Sequence, residues 1–394
     1  MKVSRRDLLA GAAGVVAAGA AGAAQSQDPP ADPSKVRGRP SRALGQRAAT
    51  EKPQRQPRGA TSSGTPHQDL YGTITPSDLH FERHHGGVPE IDPKNYSLLV
   101  HGMVERPTIF TLADLKRFPA VSRVHFLECS GNFGGRGTAT ELTPQQIAGL
   151  TSTSEWTGVA LATIFREVGV RPQAKWFLAE GGDAALLTRS IPVSKAFDDA
   201  LVAYGQNGEA IRPAQGYPLR LINPGWEGNT NVKWLRRIKV VDQPAMVRDE
   251  TSKYTDLMPD GIARQFTFVM DAKSVITFPS AGQKLSAPGF YEITGLAWSG
   301  RGRIERVEIS TDGGATWQPA ELQEPRFDKA FTRFRLPWRW DGREMVIQSR
   351  ATDQTGYVQP DPSALIAVRG TNSDYHNNAI RPWKIMADGS VVNV

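Results

Sequence analysis

A single cysteine constrains how this chain of 394 residues folds, because no disulfide can form within it. Cys129 follows residues 124–128, whose β-branched and aromatic side chains predict a buried strand, and the glycine-rich steps up to Gly137 predict a loop. A residue at a strand end faces a cleft from a rigid element, and glycines let a bulky group approach the backbone. The position suits a thiolate ligand to a large cofactor, although a lone cysteine is more often a small buried hydrophobe.

The first 27 residues predict an export signal. Arg5 and Arg6 precede an Ala-, Gly-, Val- and Leu-rich run from Leu8 to Ala24, which ends in small residues suited to cleavage. That run is short and alanine-rich for a membrane span. We therefore expect a twin-arginine signal peptide over 1–27, export of the folded protein to the periplasm, and no membrane span once the signal is removed.

The positive charge of the chain is concentrated at its N-terminus. Residues 1–27 hold three basic and one acidic residue, and residues 28–66 hold eight basic and three acidic ones. These segments account for the formal charge of +7 and leave 67–394 neutral, which argues against a nucleic-acid partner. Segment 28–66 is also rich in Pro, Gly, Ser and Gln, so we predict a disordered basic tail there. Such a tail is either a solvated linker or an arm that embraces a partner subunit.

The remaining 67–394 is long enough for two domains. Up to residue 264, strand patterns at 96–102, 175–180 and 216–229 alternate with short helices, without the regular spacing of βαβ units. An apolar stripe between Leu161 and Val168 lies at helical spacing and is predicted to be core. The first domain, 67–264, is therefore expected to be α+β.

The second domain, 265–394, has the pattern of an all-β fold. Short alternating strands separated by turns such as Asp312-Gly313-Gly314 predict an antiparallel sandwich of immunoglobulin type. Four strands are predicted, at Tyr291–Trp298, Ile304–Ser310, Phe331–Leu336 and Met345–Thr352. The Cys-Trp-Cys set of antibody domains is missing, so only the architecture is predicted.

Six short motifs occur in the order and approximate spacing of the sulfite oxidase family of molybdenum enzymes, which this chain resembles over essentially all of 67–394. They are Phe81-Glu82-Arg83-His84-His85, the strand into Cys129-Ser130-Gly131-Asn132, Glu180-Gly181-Gly182-Asp183, Gly216 to Arg220, Pro224-Gly225 and Val232-Lys233-Trp234-Leu235. The 312–317 turn also looks like the dimerisation domain of that family. Within the family, the chain is most similar to the molybdenum subunit of the sulfane dehydrogenase branch. The resemblance implies a molybdopterin-binding α+β domain followed by an immunoglobulin-like dimerisation domain.

The resemblance also implies the cofactor and its ligands. It implies molybdenum–molybdopterin, with the metal bound by Cys129, whose soft thiolate suits such a metal. Cationic side chains and backbone donors suit the pterin phosphate. The positions that match cofactor contacts in the family are Phe81, Arg83, His84, His85, Cys129, Asp183, Gln215, Arg220, Asn231, Val232 and Lys233. Gln215 stands where some relatives have histidine, and its amide can donate a hydrogen bond but carries no charge.

The resemblance further implies a pocket for an anionic sulfur substrate, where fixed positive charge would attract and orient the anion. The matching residues are Arg83, Cys129, Trp156, Tyr254 and Arg369. For Arg369 a surface arginine of the sandwich is an equal alternative, and for Tyr254 the alternative is an interface tyrosine. Animal-type relatives carry an arginine shortly after Cys-x-Gly-Asn, where this chain has Phe133-Gly134-Gly135 before Arg136. A less cationic pocket follows unless Arg136 turns into it, which argues against free sulfite as the substrate.

The implied function is that of a periplasmic oxidoreductase acting on protein-bound sulfane sulfur in thiosulfate oxidation. One cysteine cannot attach a c-type haem or hold an iron–sulfur cluster, so we expect no haem in this chain and an external acceptor, a c-type cytochrome by resemblance. A sulfur-carrier protein is a further expected partner, in a homodimer core or a heterotetramer. The alternatives are a sulfite dehydrogenase, a methionine sulfoxide reductase resembling the first domain alone, and a cofactor-free scaffold with a vestigial site.

Overall fold

A computed structural model describes residues 40–134, 139–371 and 375–394, together with Asp32 and Lys35. The chain forms two compact units, 1–52 and 53–394. In the first unit, the described residues 40–52 are exposed and contain neither helix nor strand. The predicted signal peptide, 1–27, and Arg136 lie outside the described residues. In the part of the chain that the structure covers, no helix is both long and apolar enough to cross a bilayer.

The prediction of a disordered tail up to residue 66 is wrong for its last part. Gln56–Pro57 (β1) and Ser62–Gly64 (β2) form a three-stranded antiparallel sheet with Glu82–Arg83 (β3). Thr65 is buried and its hydroxyl donates to the Leu79 carbonyl oxygen at 2.9 Å. This segment is ordered by backbone pairing and polar contacts, which leave no apolar periodicity in the sequence.

The first domain contains the following further elements. Its strands are Ser97–Gly102 (β4), Thr108–Thr111 (β5), Ala120–Glu128 (β6), Thr151–Ala160 (β7), Trp176–Gly181 (β8), Thr188–Pro192 (β9), Leu201–Gln206 (β10), Glu209–Ala210 (β11), Arg220–Ile222 (β12), Leu235–Val241 (β13), Asp256–Leu257 (β14) and Ala263–Arg264 (β15). Its helices are Leu112–Leu115 (α1), Pro144–Ala148 (α2), Leu161–Val168 (α3), Val193–Asp198 (α4) and Arg248–Thr251 (α5).

Two five-stranded sheets organise this domain, and its α+β class is as predicted. One sheet has the order β11-β10-β7-β6, with β12 also paired to β10, and the other has the order β5-β4-β13-β8-β9. All their pairs are antiparallel except β4 with β13. The predicted stripe of α3 lies in the core, where Leu161, Ile164, Phe165 and Val168 are fully buried.

The second domain is a sandwich of two antiparallel sheets, as predicted. Its strands are Lys273–Phe278 (β16), Gly289–Trp298 (β17), Ile304–Ser310 (β18), Gln318–Pro319 (β19), Glu321–Leu322 (β20), Thr332–Trp340 (β21), Met345–Asp353 (β22), Trp383–Ile385 (β23) and Val391–Asn393 (β24), and its helix is Pro362–Arg369 (α6). The sheets have the orders β16-β17-β21-β20 and β19-β18-β22-β23-β24.

The core of the sandwich continues into the first domain. Phe126 on β6 and Phe133 just beyond it belong to the same buried cluster as Ile276, Trp298 and Ile347 of the sandwich. Phe133 meets Trp298 edge to face, with the ring centroids 5.9 Å apart. The strand that leads to Cys129 is therefore packed directly against the second domain.

Candidate functional site

One cavity in the first domain gathers most of the residues predicted for the site. The predicted residues that line it are Phe81, Arg83, His84, His85, Cys129, Asp183, Gln215, Arg220, Asn231, Lys233 and Tyr254. They come from β3, the end of β6, the β8–β9 connection and the segment around β12, so that residues about 170 positions apart share one wall.

Cys129 lies immediately after β6, as predicted, with its thiol at the cavity wall. Its N–H donates to the Leu150 carbonyl oxygen at 2.9 Å, and its own carbonyl oxygen accepts from Asn132 N at 2.8 Å. Burial raises the pKa of the thiol, although the backbone at Gly131 and the charge of Arg83 oppose that effect. A bound metal ion would instead lower the pKa of the thiol, because coordination deprotonates a thiol outright.

Glycine is required close to the thiol. A Cβ atom on Gly228 would lie 2.7 Å from the carbonyl oxygen of Glu128, closer than real Cβ atoms come, and 3.3 Å from Cys129 Cα, which is a tight contact. Gly228 therefore lets the backbone after β12 pass against the end of β6, and this closes one side of the cavity.

Two cations, the buried Arg220 and the half-buried Lys233, form another wall of the cavity. Arg220 donates to the carbonyl oxygens of Gln215 at 2.8 Å and Asn231 at 3.1 Å. Lys233 Nζ donates to the carbonyl oxygens of Arg83 and Ala214, both at 3.1 Å. Among the described residues, no carboxylate forms an ion pair with either cation. Glu82 and Asp183 act on Lys233 from a longer distance, so among the described residues Arg220 is the cation with the less compensated charge.

Burial disfavours the charged form of both groups. It lowers the pKa of Arg220 to about 9, and burial together with the nearby charge of Arg220 lowers the pKa of Lys233 well below its ordinary value. Charged forms are disfavoured here because both water and counter-charge are scarce. A phosphate in the cavity would supply that counter-charge through charge-assisted hydrogen bonds.

A chain of polar contacts from the N-terminal segment fixes His84 beside Lys233. Lys233 Nζ lies 2.6 Å from His84 Nδ1, and His84 Nε2 lies 2.9 Å from Glu82 Oε2. An ammonium group can only donate, so Nδ1 accepts and Nε2 carries the proton that is donated to Glu82. Arg55 pairs with the other oxygen of Glu82 and also donates to the His80 carbonyl oxygen at 3.2 Å. The hydrogen bond from His84, with Arg55, holds the pKa of Glu82 below its usual value despite burial.

Three groups in the cavity region retain unused hydrogen-bonding capacity. Asp183 Oδ1, Arg220 Nε and His80 Nε2 are buried and have no hydrogen-bond partner among the described residues. Gln215, by contrast, donates to the Phe81 carbonyl oxygen at 2.8 Å, so its amide supports the Phe81–His85 loop. Unsatisfied buried polar atoms are costly, which suggests that a polar ligand completes them.

Tyr254 lies at the cavity wall with Arg83, and its hydroxyl is 3.1 Å from His85 Nε2. The Arg189 guanidinium lies over the tyrosine ring, 4.9 Å from the centroid. Burial raises the pKa of Tyr254 well above its ordinary value, so the phenol is neutral. Tyr254 thus contributes a neutral hydroxyl to the cavity wall.

Three predicted residues do not line this cavity. Trp156 is fully buried behind Arg220, whose guanidinium lies 5.0 Å from its ring centroid, so it supports a cation instead of meeting a substrate. Arg369 ends α6 and lies beside a separate cavity, where it pairs with Asp256 Oδ2 at 3.2 Å. Val232 has its side chain in the apolar core, so it can offer a ligand its backbone alone.

The sequence did not reveal several charged residues that surround the site. Arg189 is fully buried and pairs with Glu250 at 2.9 Å and with Glu227 at 3.0 Å. Glu128 and Lys273 are fully buried as well and pair at 2.6 Å. A charged residue inside an apolar strand pattern was the available signal, as at Glu128 after Phe126-Leu127 and at Lys273 before Val275-Ile276.

The chain matches known families and proteins over most of its length. Residues 85–248 match the oxidoreductase molybdopterin binding domain, and residues 264–382 match the Mo-co oxidoreductase dimerisation domain. Mitochondrial sulfite oxidase of Drosophila melanogaster is 31% identical over 317 residues, which are 73% of this chain and 55% of that protein. Nitrate reductase (NADH) 1 of Phaseolus vulgaris is 33% identical over 344 residues, 74% of this chain and 38% of that protein. The chain therefore spans only about a third to half of the length of these curated relatives.

A solved structure is similar over nearly the whole chain. The crystal structure of the sulfane dehydrogenase SoxCD from Paracoccus pantotrophus superimposes with a TM-score of 0.88 at 46% identity, covering 92% of this chain and 96% of that one. This match includes both the domain with the cavity and the sandwich. Together with the family matches, it confirms the resemblance inferred from the six motifs: the chain belongs to the sulfite oxidase family of molybdenum oxidoreductases.

Proposed function

We propose that this protein is a molybdenum-dependent sulfane dehydrogenase, which oxidises sulfane sulfur carried on a partner protein and passes the electrons to a c-type cytochrome. The observation that carries the proposal is the cavity itself. It combines one thiol at a strand end with two cations, Arg220 and Lys233, neither of which forms an ion pair with a described carboxylate. The 46% identity to the sulfane dehydrogenase SoxCD supports the choice within the family.

The residues of the cavity fit molybdopterin. Cys129 offers a soft sulfur ligand for the metal. Arg220 and Lys233 offer charge and donors for the phosphate, and the phosphate would remove the electrostatic cost that burial imposes on them. Asp183 Oδ1 and the Nε of Arg220 are unpartnered among the described residues and suit the polar edge of a pterin. When bound, the molybdenum would supply two-electron oxidation of a sulfur donor.

The side chains facing the thiol would bind and orient the substrate. Arg83 supplies fixed positive charge at the wall that Cys129 shares. Tyr254, kept neutral by its raised pKa, retains its proton and has its hydroxyl oriented by His85 at 3.1 Å. A neutral donor beside one arginine holds a weakly anionic sulfur without demanding a full second charge.

Among the residues that the structure describes, the small number of cations at this wall favours carrier-bound sulfur over free sulfite. Arg220 and Lys233 are engaged at the proposed phosphate end, and Arg369 is neutralised by Asp256 outside the cavity. Gly134 occupies the place where animal-type relatives of the family have an arginine. Each missing charge-assisted hydrogen bond costs a bare anion about 1.5–3 kcal/mol. A persulfide on a partner protein is bulkier and carries less charge, so it loses less binding free energy when that hydrogen bond is missing.

Electron acceptor, partners and location complete the proposal. The single cysteine cannot attach haem, which is why the acceptor is assigned to a separate cytochrome. Arg5-Arg6 ahead of the apolar run support twin-arginine export to the periplasm. The match of 264–382 to a dimerisation domain supports a dimer built through the sandwich.

A comparison of substrates tests the proposal. The molybdenum-loaded protein is assayed with a dye acceptor, using a persulfidated thiol peptide and free sulfite as donors, and we expect the higher kcat/KM with the peptide. Gly134→Arg should improve sulfite turnover by about tenfold relative to the peptide, and Gly134→Gln, which adds bulk without charge, is the control. A wild-type protein that handles sulfite far better than the peptide would be a sulfite dehydrogenase, and the sulfane assignment would be wrong.

A further inference from the structure

Glu128, the residue directly before Cys129, is held by the second domain. Its side chain is fully buried, and Oε1 accepts from Lys273 Nζ at 2.6 Å. The other oxygen, Oε2, accepts from Trp298 Nε1 at 2.8 Å. Lys273 and Trp298 both belong to the sandwich, whereas Glu128 ends a strand of the cavity domain.

The same carboxylate also fixes the turn that carries the thiol. Asn132 Nδ2 donates to Glu128 Oε1 at 2.9 Å, and Asn132 Oδ1 accepts from Leu150 N at 3.0 Å. Leu150 in turn accepts from Cys129 N at 2.9 Å through its carbonyl oxygen. The backbone of Cys129 is thus linked, through Leu150 and Asn132, to the Glu128 carboxylate that the sandwich holds.

Lys273 and Trp298 are well placed to act as one rigid unit. They are directly opposite each other in the antiparallel pair of β16 and β17. Both are fully buried, and Phe133 packs against both, with its ring 5.4 Å from Lys273 Nζ and 5.9 Å from the Trp298 ring. Because water is excluded, Glu128 and Lys273 depend on each other for compensation of their charges.

We propose that Lys273 and Trp298 are positioning residues for the Cys129 thiolate and that they act through Glu128. This inference rests on the proposed function, in which Cys129 binds the metal. It gives the sandwich a role in the redox site of its own chain, besides the dimerisation that its family description names. Partners that orient a metal ligand from outside the first coordination sphere commonly influence activity by 10- to 100-fold.

The test uses the full chain loaded with molybdenum, as wild type and as Lys273→Met, Trp298→Phe and the double variant Glu128→Gln/Lys273→Met. Lys284→Met is the matched control, because Lys284 lies in the same domain but pairs with Asp388 at the surface, with 62% of its side chain exposed. The readouts are molybdenum content, the thiolate-to-molybdenum absorption band, the molybdenum midpoint potential, and kcat and KM. A merely structural role would change the melting temperature without moving the band or the potential.

We expect Lys273→Met and Trp298→Phe to shift the band and the potential and to lower kcat about tenfold, with KM within about twofold of wild type. The double variant should recover most of the signature, because a glutamine in place of Glu128 leaves no unpaired charge and still accepts a hydrogen bond. Wild-type band, potential and kcat in both loaded single variants would overturn the inference, as would equal changes in Lys284→Met. If Lys273→Met does not fold, Trp298→Phe decides by the same criteria.

Failure of the proposed function would look different. A wild-type protein that carries no molybdenum, or that carries it and oxidises no sulfur donor, would refute the function whatever the variants do. The band and the potential need no substrate, so they test the positioning role in any molybdenum-loaded protein.

Discussion

Replacing Arg220 by methionine should affect two quantities differently: the free energy of unfolding of the cofactor-free protein and the retention of the cofactor. Folding lowers the pKa of Arg220 to about 9, well below the ordinary value of a guanidinium, so carrying the charge in the empty cavity costs about 5 kcal/mol. Loss of the two backbone hydrogen bonds and the Trp156 contact offsets part of the gain. We therefore expect Arg220→Met to keep or raise the free energy of unfolding of the cofactor-free protein.

The same substitution should weaken cofactor retention. A charge-assisted hydrogen bond to phosphate contributes about 1.5–3 kcal/mol, so retention should fall about 10- to 150-fold. Unfolding by urea at neutral pH, with and without cofactor, gives both quantities. Arg212→Met is the control, since Arg212 is half-exposed and pairs with Glu209 at the surface. Strong destabilisation of the cofactor-free variant with unchanged retention would refute this reasoning.

The pH dependence has a definite sign. Because the folded-state pKa of Arg220 lies below the unfolded one, the cost of carrying its charge is fully present below about pH 9 and fades as the pH rises from there towards the unfolded-state pKa. The free energy of unfolding of cofactor-free wild type should therefore increase relative to that of Arg220→Met as the pH is raised above about 9. A difference that stays constant from about pH 7 to about pH 10.5 would contradict the assignment of a buried, uncompensated charge.

Three further predictions address other parts of the account. Cys129→Ser should fold but lose turnover, because a hydroxyl is a harder and far less acidic donor than a thiol; sulfur oxidation within a few-fold of wild type would contradict it. Arg55→Met should lower the midpoint of thermal unfolding slightly and reduce the pterin content several-fold, because Glu82 and His84 would lose the contact that holds them in place. An unchanged pterin content would show that the N-terminal segment does not support the site. The purified subunit should show no haem absorbance and should need an added cytochrome or dye, and intrinsic haem bands would disprove this.

The sequence predicted the site best where short motifs lie at the ends of regular elements. Cys129 follows a strand whose pattern is plain, and the motifs at Arg83, Asp183 and Lys233 converge on the same cavity although they are distant in the chain. Motif order and spacing were sufficient there because each motif ends on a loop that the sheets hold in place.

Residues whose role depends on packing between elements were not predictable in the same way. The resemblance assigns Trp156 to the substrate pocket but cannot tell the wall of a cavity from the layer behind Arg220, where the structure places this side chain. Arg369 finds Asp256, more than 100 positions earlier, through folding alone. The pairing of Glu128 with Lys273 across two domains likewise leaves no local pattern beyond a charge in an apolar strand.

The measurement that tests the central claim most directly is the quantity of molybdenum and molybdopterin bound per chain, determined by elemental analysis and by release of the pterin from protein purified from its native compartment. The account predicts about one of each per wild-type chain, with the pterin retained far less well in Arg220→Met. A carefully prepared native protein that contains neither would contradict it and would favour a scaffold with a vestigial site.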